Sequence, residues 1–157
     1  MAKHGEFTPG QHLKGLVPSD LAQCSGAVSF LQSGFWGSFK ARFGWNARAF
    51  IMDWGLLGTW SLLLIRRHLG PGFSFAYVPW GPEFPPSFPA DKRNAALLEL
   101  ASGLRGFLPK DTAFIRFDPP WYGEDVAPSM DKPFVRAGAN VQPPDTVLVD
   151  LTASEQE

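Results

Sequence analysis

Five prolines in the eleven residues from Pro79 to Pro89 constrain this chain more than any other feature. Proline cannot donate to a sheet ladder and breaks a helix interior, so the stretch is a loop. Prolines and glycines recur elsewhere: 15 Pro and 16 Gly make about a fifth of the 157 residues, against roughly 12% in an average protein. The remaining composition supports a folded core. Hydrophobic residues are 45% and charged residues 18%, and a chain of this length can bury roughly 70% of its unfolded surface. Wholesale disorder is therefore excluded.

Lys+Arg 14 against Asp+Glu 15 gives a net charge of -1, which excludes a generally basic nucleic-acid sleeve. Cys24 is the single cysteine, so neither an internal disulfide framework nor a cysteine-based zinc site can form. His4, His12 and His68 are scattered without metal-ligand spacing. No P-loop or G-x-S-x-G elbow is present. The N-terminus has no apolar signal core, and the run Leu62-Leu63-Leu64-Ile65 stops at Arg66-Arg67, far short of a membrane span. These features predict a cytoplasmic protein, at most peripheral at a membrane.

Residues 1–28 read as a lead-in containing at most one short strand. A helix is predicted from Ser33 to about Phe43, where Trp36, Phe39 and Phe43 fall on one stripe and Gly44 stops it. Trp45–Trp54 and Thr59–Arg67 read as antiparallel strands joined through Gly55–Gly58. Phe73–Val78 alternates, with Phe73, Phe75 and Tyr77 on one face. Asp91 is expected to cap a second helix reaching Gly106, with Leu97, Leu100, Ala101 and Leu104 as its apolar stripe. Thr112–Phe117 is a strand halted by Asp118-Pro119-Pro120, and Thr146–Leu151 is a last strand. The predicted class is α/β (α+β), a mixed sheet with helices packed on it. Thr152-Ala153-Ser154-Glu155 fits a capping box, so a further helix is expected to start there and to be cut short at Glu157.

Four blocks in order carry a family resemblance: Phe30-Leu31-Gln32-Ser33-Gly34-Phe35-Trp36-Gly37-Ser38-Phe39-Lys40 with Gly44-Trp45; Ala76-Tyr77-Val78-Pro79-Trp80-Gly81-Pro82; Phe114-Ile115-Arg116-Phe117-Asp118-Pro119; and Val141-Gln142-Pro143-Pro144-Asp145-Thr146-Val147-Leu148-Val149-Asp150-Leu151-Thr152. Together the chain resembles the FemABX peptidoglycan-bridge aminoacyltransferases. The resemblance implies a GNAT-like subdomain over 29–152, the first of the family's two, with 153–157 as the truncated start of a helix leading to a second. It also implies transfer of an amino acid from aminoacyl-tRNA to the stem peptide of a UDP- or lipid-linked muramyl peptide. The tRNA would bind through the missing half, for which a partner polypeptide is one candidate source.

The same resemblance assigns Lys40 to the precursor's diphosphate, a point-charge contact from a packed helix. Asp118, at a strand end opening into a loop cleft, is the candidate catalytic residue. Aspartate is a weak base near neutrality, so its expected role is to hold the acceptor's ammonium group. Arg116 lies on the same face by the period of two and is a candidate to pair with Asp118 or bind the precursor. Tyr77, Trp80 and Trp121 border the Pro-rich loops, where aromatics can pack as lids or stack on a ligand. Arg67-His68-Leu69-Gly70-Pro71-Gly72 matches the R-x-x-G-x-G pyrophosphate loop of acetyl-CoA enzymes. Pro71 removes a donor and a strand follows, so the segment reads as a plain turn. No coenzyme A, metal or other cofactor is expected. Two alternatives stand beside the transferase: a non-catalytic muramyl-peptide-binding fragment, and an acetyl-CoA-dependent acetyltransferase.

Overall fold

The computed structural model describes residues 8–121, 133–139 and 141. The chain divides into two compact units, Met1–Ala127 and Pro128–Glu157. The expected strand Thr146–Leu151 and the capping box at Thr152 lie outside the described residues.

The first unit is built on a five-stranded mixed sheet in the order β1-β2-β3-β4-β5. The strands are β1 (Gly15–Ser19), β2 (Asn46–Asp53), β3 (Thr59–Gly70), β4 (Phe73–Val78) and β5 (Thr112–Phe117). The first three pairings are antiparallel. Short connections permit this: a 3-10 turn at Gly55–Leu57 joins β2 to β3, and Pro71-Gly72 joins β3 to β4. Gly58 and Gly72, at φ +89 and +72, take backbone conformations that a side chain would strain. The pairing of β4 with β5 is parallel, and parallel neighbours need a long crossover. The Pro-rich loop and helix α2 (Arg93–Phe107) supply it. The strand expected within the lead-in is present as β1, and it forms one edge of the sheet.

Helix α1 spans Gly34–Arg42. The Ser33 side chain accepts from Trp36 N–H at 3.2 Å, capping its start, and Gly44 at φ +79 follows its end. The Trp36–Phe39–Phe43 stripe exists, with ring centroids 5.4 and 4.9 Å apart. Trp36 lies against the core cluster, whereas Phe39 and Phe43 are exposed, and Gly37 is the residue that α1 buries. A side chain at 37 would collide with Leu63 and Leu21, so the close approach of α1 depends on having none.

Asp91 does not cap α2. It lies in a 3-10 turn, Ala90–Lys92, and pairs with Lys92 at 3.3 Å. The chain passes from that turn into α2 with Lys92 already in a helical conformation, leaving no extended cap residue for a side chain to serve. The apolar stripe of α2 is as expected, with Leu97, Leu100 and Leu104 fully buried.

The sheet is covered on both faces. On the α1 side Cys24, Ala49, Leu63, Ile65 and Tyr77 form a buried cluster, flanked by Leu21, Trp36, Trp45, Ala47 and Phe75. Alternation puts Phe50, Leu62 and Leu64 on the opposite side, where Phe50 meets Phe107 of α2 at 5.4 Å. Polar latches then close the ends. Gln32, 1% exposed, donates to Leu63 and Pro79 carbonyls and accepts from Leu63 N–H. Glu83 accepts from Val28 and Ser29 N–H groups, and Glu99 accepts from Gln11, His12 and Leu13 N–H groups.

Candidate functional site

The α1 side of the sheet brings the sequence-predicted residues onto one face. Cross-strand register aligns two rows over it. Arg67, Phe75 and Phe114 form one; Ala47, Ile65, Tyr77 and Arg116 form the next. Helix α1 covers the β2–β3 end of these rows.

At that end lies a cationic corner. Lys40, in the last turn of α1, holds Nζ 4.7 Å from the Trp36 ring and 5.3 Å from the Trp45 ring. The Arg67 guanidinium sits 5.3 Å from the same Trp45 ring. Two cations thus share one indole, an arrangement that the ring's negative faces favour. Neither makes an ion pair among the described residues. Trp45 meets Phe75 edge-on at 5.8 Å, and Phe75 stacks on Phe114 at 5.5 Å and 20°. Phe114 is 49% exposed, so an aromatic shelf runs from the cations to the β5 edge.

Asp118 stands just past the C-terminal end of β5. Its N–H donates to the Val78 carbonyl at 3.2 Å and its carbonyl accepts from Gly81 N–H at 3.0 Å. The Tyr77 hydroxyl donates to Asp118 Oδ2 at 3.0 Å. Oδ1 accepts no hydrogen bond among the described residues. Tyr77 itself is 4% exposed and belongs to the core cluster. Its ring is packing, and only its hydroxyl reaches the carboxylate. Arg116 is half-buried beside Tyr77 in the parallel register. Trp80, half-buried, has φ 47, a conformation uncommon outside glycine. Trp121 belongs to a different group of rings, 6.1 Å from Phe84, which in turn meets Trp54 and Phe88.

Strand spacing sets the scale. Arg67 lies two strands from Phe114, about 10 Å, and Asp118 lies four residues further along β5, about 13 Å. Cationic corner and carboxylate are therefore roughly 16 Å apart on one face. Such a surface suits an elongated ligand, anionic at one end and carrying an amine at the other.

Sequence reasoning missed Arg67 and the aromatic shelf. Period-two alternation along β3 places Arg67 with Leu63 and Ile65, which would have revealed it. Of the segment expected as a turn, Arg67–Gly70 extend β3 and only Pro71-Gly72 turn, running directly into β4 with no helix behind them to receive a phosphate. On the opposite face a cavity of about 290 Å³ is lined by Asn46, Arg48, Arg66, Leu108 and Pro109. Its guanidinium groups are already engaged: Arg48 donates to the Phe107 carbonyl at 2.6 Å, and Arg66 pairs with Asp111 at 3.3 Å. Among the described residues no three His, Cys, Asp or Glu side chains gather as metal ligands.

No protein-family model, curated protein or solved structure matches the chain.

Proposed function

We propose that the α1 face of the sheet holds a UDP- or lipid-linked muramyl peptide, as the acceptor-binding half of a FemABX-type aminoacyltransferase. The observation that carries this reading is the placement on one face of two cations without an ion pair among the described residues, Lys40 and Arg67, and a carboxylate, Asp118, bonded by Tyr77. The cations take the diphosphate, Phe75 and Phe114 offer flat surface to a base or sugar, and the stem peptide runs toward Asp118. A pentapeptide extends about 17 Å, enough to cover the distance. Asp118 receives the acceptor's ammonium group and orients the amine. Once the ammonium has given one proton to solvent, the amine attacks the aminoacyl ester: the amide C–N bond forms, the ester C–O bond breaks, and the tRNA 3′-oxygen leaves with the proton that the attacking nitrogen sheds.

The sheet supports the reading in outline. An antiparallel meander that ends in a parallel pair through a helical crossover is the layout expected of a GNAT-like subdomain. Aminoacyl-tRNA would be held by a second subdomain, in this polypeptide or a partner. Thermal-shift titration separates the readings. UDP-linked muramyl pentapeptide is expected to raise Tm and acetyl-CoA to leave it unchanged. Stabilisation by acetyl-CoA alone would replace this proposal with an acetyltransferase.

A further inference from the structure

The outer side of α1 carries a surface that adjoins the proposed ligand site and shares Trp36 and Lys40 with it. Phe35, Phe39 and Arg42 fall within a narrow arc of the helix, and Phe43 continues it past the C-terminus. Phe35 is 67% exposed and Phe43 68%. Their rings are not scattered. Phe35 meets Phe30 at 5.6 Å, Phe30 meets Trp36 at 5.7 Å, and Trp36 leads through Phe39 to Phe43. Phe30 and Val28 extend the patch and are themselves exposed. A contiguous apolar surface of this kind marks an interaction site.

Charge identifies the occupant. From Leu21 to Met52 the sequence contains no aspartate or glutamate, although the whole chain has net charge -1. Lys40 and Arg42 stand at the patch in the last turn of α1. Glu83, which touches this segment, is 9% exposed and directs its oxygens at the Val28 and Ser29 N–H groups. Exposed aromatic rings with Lys40 and Arg42 beside them match the boundary layer of an anionic bilayer, where rings sit at headgroup depth and Lys/Arg meet lipid phosphates. No helix among the described residues is long and apolar enough to cross a membrane.

We infer that the Phe30–Phe43 surface docks this protein on an anionic lipid bilayer. The inference rests on the surface alone and stands whether or not the α1 face of the sheet binds a muramyl peptide. Vesicle co-sedimentation tests it, using phosphatidylcholine vesicles with and without phosphatidylglycerol. The protein is expected to sediment with the mixed vesicles and less with phosphatidylcholine alone, and added salt should release it. The double variant F35S/F43S should lower the vesicle partition coefficient by about tenfold or more. Arg42→Glu should weaken binding only to the anionic vesicles. Circular dichroism of both variants should match the parent, since these side chains are exposed. Failure of the parent protein to bind mixed vesicles overturns the inference, as does undiminished binding by folded F35S/F43S. Sedimentation velocity supplies a third contrary outcome: a dimer that F35S/F43S abolishes, without lipid binding, would make the patch a contact between copies of this chain.

Discussion

Tyr77 donates its hydroxyl to Asp118 across the parallel pairing of the sheet, 3.0 Å from Oδ2. A core tyrosine thereby holds a carboxylate at the mouth of the Pro-rich loop, and structure and proposed chemistry share one hydrogen bond. Tyr77→Phe keeps the buried ring and removes only the donor. It is expected to cost about 1 kcal/mol, read from urea unfolding, and to weaken the muramyl-peptide affinity less than Asp118→Asn does. A greater affinity loss in Tyr77→Phe than in Asp118→Asn would show that the carboxylate has no role of its own.

Gln32 presents the sharpest stability test. Its fully buried amide bridges α1's approach to β3 and the Pro-rich loop through Leu63 and Pro79. Gln32→Ala leaves the Leu63 N–H and two carbonyls without these partners, and should cost about 3 kcal/mol or more. Chemical denaturation measures it. A loss below about 1 kcal/mol would mean that other groups satisfy them.

Two glycines should answer oppositely. A Cβ at Gly34 would run into the Leu21 backbone carbonyl, whereas one at Gly26 would meet nothing within 4 Å. Gly34→Ala is therefore expected to destabilise by about 1–3 kcal/mol, and Gly26→Ala to stay within about 0.5 kcal/mol of the parent. Thermal unfolding of the pair provides the comparison, and equal effects would contradict the close packing of α1 on the 3-10 turn at Leu21–Gly26.

Cys24 should be inert. Burial pushes its thiol pKa up, the Glu83 charge adds to the shift, and a hydrogen bond to Ser61 opposes it. A thiol whose pKa is higher folded than unfolded favours the native state only while protonated. Its contribution is complete below the unfolded thiol's value, about 8.5, and is lost as pH rises through the folded value. Ellman's reagent should react slowly with native protein and rapidly in urea. Stability should decline above the free-thiol range by more in the parent than in Cys24→Ser; fast native labelling would contradict the buried placement.

Much of the fold was legible because its signals are local. Apolar runs bounded by turn residues marked β2, β3 and β5, period-two alternation marked β4, the Gly55–Gly58 connection marked a hairpin, and the Leu97–Leu100–Leu104 stripe marked α2. The orientation of α1 was not legible. Its aromatic stripe has the spacing of a buried face, but Gly37 permits the close approach and so faces the sheet. The Asp91 misreading arose because a 3-10 turn can feed a helix without an extended cap. In the site, Lys40 and Asp118 followed from motif positions. Arg67 did not, because its partnership with Lys40 runs through Trp45, a ring far from Arg67 in sequence and brought near only by the β2–β3 pairing.

The central claim is that one face of the sheet grips an anionic precursor beside α1. Isothermal calorimetry of UDP-linked muramyl pentapeptide against the parent protein, Lys40→Glu and Arg67→Glu tests it most directly. Binding by the parent and a fall of about tenfold or more in each variant, equivalent to about 1.4 kcal/mol, is the predicted result. Unchanged affinity in both charge reversals, or no heat of binding with the folded parent, would contradict it.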